Sequence, residues 1–172
     1  MSVFPTKILL ATDGSDESDL AATTAAELAR STDSELDVIY VLEVEPWHFP
    51  PRELVKYPQR YEDLREEGRR LCDEQVEKIK AAGGSVAESY LAVGRPADQI
   101  VTHAQDEGAG LIVMGSRGLG GIRRALMGSV SDAVVRHAHC PVMVVRPEKE
   151  HIEEDRDSSF SPGPPLLTLQ VA

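Results

Sequence analysis

The chain has 172 residues, a length that suits one domain around a single core. Hydrophobic residues make up 41% and charged residues 27%, ordinary globular proportions, but the formal net charge is -11. A surface this acidic repels phosphate backbones and anionic lipids, which argues against nucleic-acid and membrane-surface roles.

The N-terminus, MSVFPTKILLATDGS, offers an apolar run only from Ile8 to Ala11 before Asp13 interrupts it, so a signal peptide is not expected. No stretch reaches the length needed to cross a bilayer. Cys72 and Cys140 stand far apart and in no CxxC arrangement. A disulfide scaffold or cysteine zinc site is therefore not expected, and a cytoplasmic location is.

Lys7 to Thr12 reads as a buried parallel strand, ending at the turn residues Asp13-Gly14-Ser15. Ser15 can N-cap a helix that runs to about Ser31, with Asp16 and Glu17 favoured in its first turn by the helix dipole. Leu20, Thr24, Leu28 and neighbouring alanines supply its expected apolar face. Leu36 to Val44 holds a second strand. The prolines at 46, 50, 51 and 58 then predict a structured loop carrying Trp47, His48, Phe49 and Tyr57. A long helix follows, with Leu64, Gly68, Leu71, Cys72, Val76 and Ile79 at helical spacing, and Gly83-Gly84 ends it.

Val86 to Val93 reads as a third strand, and Gly94-Arg95-Pro96-Ala97 turns into another helix with Pro96 near its start. Leu111 to Met114 is a fourth strand running straight into Gly115. A helix from about Ser129 to His137 precedes a fifth strand, Pro141 to Val145. This alternation calls for a parallel sheet with right-handed crossovers and helices on both faces. Residues 147–172 change character, charge-dense from Glu148 to Asp157 and rich in Ser, Pro and Gly from Ser158 to Pro165. They read as a tail without a core of its own, ending in the apolar Leu166 to Val171.

The segment GSRGLGGIRRALMGSVS, residues 115–131, carries the chemistry. Gly115, Gly118 and Gly128-Ser129 form the spacing G-x2-G-x9-G-S. Gly115 leaves a strand end, where the absence of Cβ permits a tight turn and a close ligand. Gly118 can present its N–H to an anion. Gly128-Ser129 opens a helix whose unpaired N–H groups and dipole suit phosphate, with the hydroxyls of Ser129 and Ser131 at hand. Arg117, Arg123 and Arg124 make this stretch locally basic within an acidic chain. With glycine near 7% of residues, the pattern arises by chance in roughly one such chain in a hundred. The competing reading is a glycine-rich turn that only connects two elements.

Together, Asp13-Gly14-Ser15, Gly94-Arg95-Pro96-Ala97, Leu111 to Gly118, Gly128-Ser129-Val130-Ser131 and Cys140 to Val145 resemble the universal stress protein (UspA-like) family, in its ATP-binding branch. The resemblance covers about residues 5 to 146. It implies an α/β fold with an open five-stranded parallel sheet, Rossmann-like (adenine nucleotide alpha hydrolase-like), of strand order 3-2-1-4-5. It divides the chain into an ATP-binding domain, 1–146, and an acidic, Pro/Ser-rich tail, 147–172. The implied cofactors are ATP and the Mg2+ that accompanies it. Ala11, Thr12 and Asp13 would face the nucleotide, with Asp13 near the ribose or a phosphate-bound metal. Val41 would contact adenine, and Met114 and Gly115 would line the ribose side. Arg117, Gly118, Gly128, Ser129, Val130 and Ser131 would hold the triphosphate.

The resemblance also implies a homodimer joined through Pro141 to Val145, and a stress-response regulator or nucleotide-sensing adaptor with a protein partner. Slow ATP hydrolysis or autophosphorylation is known among the relatives. The alternative is a dimeric scaffold of the same fold that uses no nucleotide. An adenylating ATP pyrophosphatase fits less well, because Asp13-Gly14-Ser15-Asp16 lacks the paired glycines of its SGGxDS-like loop. Taken by itself, Asp13 is equally a plain turn aspartate. Trp47, His48 and Phe49 are candidates for a cover over the site or for an ordered surface insert. Arg123 and Arg124 either touch the γ-phosphate or are solvated. His137, His139 and Cys140 lack the partners a metal centre needs.

Overall fold

A computed structural model describes residue 4 and residues 6–43, 58–118 and 127–147. The expectations for Trp47, His48, Phe49 and Tyr57, for Arg123 and Arg124, and for the tail from Glu148 lie outside these residues. In chain order the elements are β1 (Lys7–Thr12), α1 (Asp16–Thr32), β2 (Glu35–Glu43), α2 (Pro58–Ala81), β3 (Ser89–Gly94), α3 (Pro96–Asp106), β4 (Leu111–Gly115), α4 (Ser129–His137) and β5 (Val142–Val145).

The five strands form one parallel sheet in the order β3-β2-β1-β4-β5. The chain steps outward from β1 to β3, then crosses back over β1 to β4. Right-handed crossovers therefore place α1 and α2 on one face and α3 and α4 on the other. The strand residues sort accordingly. Ile8, Leu10, Leu36, Val38, Leu111 and Val113 pack with the alanines of α1 and with Cys72 and Ile79 of α2. Leu9, Ala11, Ile39, Ile112 and Met114 pack with Ile100 and Ala104 of α3 and Val134 of α4. A strand covered on both faces must be apolar at successive positions, which is why β1 and β4 read as continuous runs.

Several expected details change. Pro58 is the first residue of α2 rather than part of the preceding loop; a proline costs a helix nothing there, since that N–H has no intrahelical acceptor. The β3 ladder begins at Ser89, not Val86, although Ala87 N–H already donates to the Leu36 carbonyl at 2.8 Å. β2 begins one residue earlier than expected, at Glu35, and β5 one residue later, at Val142; the expected end of β2 at Val44 lies outside the described residues.

The buried face of α1 is Ser18, Ala21, Ala22, Ala25, Ala26 and Ala29. Leu20, expected on it, is 37% exposed. Because α1 turns small side chains toward the sheet, it lies close to β1 and β4. Ser15 caps the helix by accepting from Ser18 N–H at 3.3 Å, and Asp33, in the left-handed region at φ 54°, ends it. α2 is tied to α1 by a polar contact: the buried Gln75 donates to Asp19 Oδ1 at 2.5 Å, and Lys78 Nζ reaches both Asp19 oxygens.

Candidate phosphate-binding site at the ends of β1 and β4

In an open parallel sheet, ligands collect outside the carboxyl ends of the strands where the winding direction reverses. Here that point lies between β1 and β4, which pair from Ile8↔Leu111 to Ala11↔Met114. β1 delivers Thr12 and Asp13, β4 delivers Gly115 and Ser116, and α4 begins at Ser129 after Gly128.

The motif glycines are held against the β1–α1 turn. A Cβ on Gly115 would sit 3.0 Å from the carbonyl carbon of Glu17 and 3.1 Å from its Cβ and O. A Cβ on Gly118 would lie 2.1 Å from Asp13 Oδ2. Asp13 is itself fixed, because its Oδ1 accepts from Ser15 N–H at 3.1 Å and from the Ser15 hydroxyl at 2.6 Å. Gly118 therefore has no room for a side chain unless Asp13 moves, and Gly115 is tight against the backbone of α1, before any ligand is considered.

Ser116 organises the other side. Its N–H donates to the Val145 carbonyl at 2.9 Å, and its own carbonyl accepts from Gly128 N–H at 2.7 Å and the Ser131 hydroxyl at 2.8 Å. The end of β4 and the start of α4 are thereby held together. Gly128 caps α4 without any side-chain bond, so the amides of Ser129, Val130 and Ser131 have no acceptor within the helix or from its cap residue's side chain. They point out of the helix start with the positive end of its dipole, a cradle for an anion.

The expected site residues fall into three groups. Ala11, Met114, Val41 and Val130 share the α3–α4 face near the strand ends, Ala11 and Met114 buried and the two valines half-buried. Asp13, Gly115, Gly118, Gly128 and Ser129 surround the turn, with Gly118 and Ser129 exposed. The third group faces inward. Thr12 turns toward α1, where its hydroxyl lies 3.1 Å from Ser18 Oγ and accepts from Gly14 N–H. Ser131 is buried, its hydroxyl donated to the loop. Arg117 folds onto Glu17, with Nε and Nη2 each 2.8 Å from Oε1.

Glu17 is the residue that sequence reading missed. Its Oε2 also accepts from the Ser116 hydroxyl at 2.5 Å and from Arg117 N–H at 2.8 Å. The only signal was an acidic side chain in the first turn of α1, already explained by the helix dipole.

Among the described residues no three His, Cys, Asp or Glu side chains converge as metal ligands would. His137 Nδ1 lies 2.8 Å from the Ala133 carbonyl and His139 Nε2 lies 3.2 Å from that of Ala109. Burial pushes the Cys140 thiol above its ordinary value of 9.0, away from the thiolate a metal needs. No helix among the described residues is long and apolar enough to cross a membrane.

With this geometry in hand, comparisons with known proteins are informative. The sequence model of the Universal stress protein family matches residues 5–146. Universal stress protein MJ0531 of Methanocaldococcus jannaschii is 41% identical over 145 residues, 84% of this chain and 84% of its own. Universal stress protein UspA from Lactobacillus plantarum superposes with a TM-score of 0.72 at 25% identity, over 82% of this chain and 97% of that one. A universal stress protein crystallised in complex with cAMP gives a TM-score of 0.61 at 27% identity, over 84% of this chain and 98% of that one.

Proposed function

The chain belongs to the universal stress protein family, and from that premise we propose that it binds ATP at the β1–β4 switch point and serves as a nucleotide-sensing regulator. The observation that carries this reading is the start of α4. Three amides without helical acceptors, at a helix end with no side-chain cap, stand near the turn where Gly115 and Gly118 lie against Glu17 and Asp13. The relative solved with cAMP supports an adenine nucleotide as the ligand class.

In this reading Ala11, Val41 and Met114 offer the apolar side to adenine and ribose, and Gly115 and Gly118 let the loop pack against the β1–α1 turn beside the phosphates. Ser129, Val130 and Ser131 hold those phosphates through backbone N–H groups. Thr12 and the Ser131 hydroxyl act from behind, fixing the turn. Asp13 would hold the Mg2+ that accompanies the phosphates, and that ion would offset the repulsion between carboxylate and phosphate. Binding shifts the population toward a partner-binding form. Residues 1–146 are the binding domain, and 147–172 an appended tail.

Calorimetric titration of nucleotide-stripped protein with Mg·ATP is the test. Saturable one-site binding is the expected result; its absence from folded protein leaves the nucleotide-free scaffold in front.

The scaffold reading has its own support in the β5 edge. Among the described residues nothing pairs with β5 beyond β4, and Met143 of β5 is exposed, as is Val135 of α4. An open apolar edge invites a second copy, and a homodimer through this edge belongs to the proposal under either reading. Light scattering at micromolar concentration is expected to give a dimer mass, falling to the monomer mass in Met143→Glu. A monomeric wild type rejects the dimer.

A further inference from the structure

A carboxylate already occupies part of the anion-binding surface of this site. Glu17 accepts the Ser116 hydroxyl, Arg117 N–H and two guanidinium nitrogens of Arg117, all within 2.8 Å. Hydroxyl, backbone amide and a forked guanidinium are the donor set that a phosphate oxygen would otherwise recruit. The pair is sheltered, with side-chain exposures of 26% for Arg117 and 15% for Glu17, so its charges are less screened than on an open surface.

The site thus has two anion positions of different status. The start of α4 presents amides with no helical partner. The 116–117 turn presents donors already satisfied by an internal carboxylate, with Asp13 a second carboxylate beside Gly118. A ligand with a single charged group uses the first position alone. Each further phosphate that extends toward the turn meets Glu17 in place of Arg117.

We propose that Glu17 sets the preference of the site among nucleotides of different charge, by holding the donors that an additional phosphate group would take. This rests on the nucleotide-binding reading above, and it makes Glu17 a specificity-determining residue rather than a ligand contact.

Glu17→Gln separates the two jobs of the carboxylate. The amide oxygen can stand where Oε2 stands, still accepting from Ser116 and from Arg117 N–H. The amide NH2 then faces the Arg117 guanidinium, donor against donor, and releases it. The turn stays pinned while the Arg117–Glu17 ion pair is lost.

The experiment titrates wild type, Glu17→Gln, Arg117→Ala and the double variant with adenosine and with ATP. Glu17→Gln is expected to raise the ATP-to-adenosine affinity ratio about tenfold, the scale of one charge-assisted hydrogen bond. The rise should vanish when Arg117→Ala is also present. A purely structural role moves both ligands together and leaves the ratio unchanged, which overturns the inference, as does a rise that survives Arg117→Ala. If wild type binds no nucleotide, the ATP reading falls by itself. Inorganic tripolyphosphate then decides the role of Glu17: tighter binding to Glu17→Gln than to wild type upholds it, and equal, weaker or no binding overturns it.

Discussion

Gly118→Val is expected to abolish saturable Mg·ATP binding, weakening it by roughly a hundredfold or more, equivalent to about 3 kcal/mol of binding free energy. The cause is visible without the ligand. A Cβ at this position would stand 2.1 Å from Asp13 Oδ2, and Asp13 cannot simply swing aside. Its other oxygen holds Ser15 N–H and the Ser15 hydroxyl, and Ser15 in turn caps α1. Making room therefore disturbs both walls of the site at once.

The same overpacking is expected to lower folding stability by about 1–3 kcal/mol. Combining Gly118→Val with Asp13→Ala should recover much of that stability but none of the binding. Thermal unfolding and calorimetric titration of the two variants check this. Unimpaired titration of Gly118→Val would place the ligand elsewhere.

The largest effect on stability is expected from Lys7→Met, at the opposite end of the sheet. Asp37 is fully buried, with Oδ2 at 3.1 Å from Lys7 Nζ and Oδ1 accepting from Glu88 N–H at 3.2 Å. Removing the lysine strands a carboxylate in the interior, a loss of about 3–5 kcal/mol. Against a total of about 5–15 kcal/mol for a typical domain, that is a large share. Lys7→Met with Asp37→Asn should cost less than Lys7→Met alone, because no charge is then left unpaired. Urea unfolding of both at neutral pH is the measurement, and an Lys7→Met midpoint equal to wild type would show the pair to be idle.

The same pair gives the protein an alkaline limit. Its hydrogen bond to Asp37 raises Lys7 above its ordinary value of 10.5. A raised lysine contributes stability that is complete below 10.5 and is lost as pH climbs through the folded-state value. Tyr90 is raised above 10.0 by burial, with the charge of Asp37 a smaller cause, and works in the same direction. Wild type should therefore lose stability from about pH 10 upward, and Lys7→Met should lose less over that interval.

The strands were legible because a sheet covered on both faces leaves no polar positions to blur the pattern. Lys7 to Thr12 and Leu111 to Gly115 carry the fold almost by themselves, and they place Gly115 at a strand end as the spacing of the glycines suggested. The alanine face of α1 was less legible. Ala21, Ala25 and Ala29 carry little hydrophobic signal of their own, and Leu20 drew attention to the wrong side. The β3 start was obscured because Val86 packs on the core while lying outside the ladder.

At the site, spacing in the sequence could bring out Gly115, Gly118 and Gly128 but not what they touch. That Gly118 answers to Asp13, and that Arg117 answers to Glu17, are contacts about a hundred residues apart in sequence. Local pattern reads an acidic residue in a first helical turn as a partner for the dipole. Only the docking of α1 against β4 turns it into a partner for the loop.

The alanine stripe of α1 has a consequence beyond packing. Because the helix contributes little more than methyl groups to its contact with the sheet, the stripe works as a gauge, setting how far the backbone at Glu17 stands from Gly115 and whether a side chain of that length spans the gap to Ser116. Any bulkier residue as far along as Ala29 lifts the rod and lengthens that gap. Under the proposed function, the sequence constrained by a ligand would therefore be much longer than the sequence that touches it: it would run the length of α1, and drift along the hidden side of that helix would register as altered ligand preference.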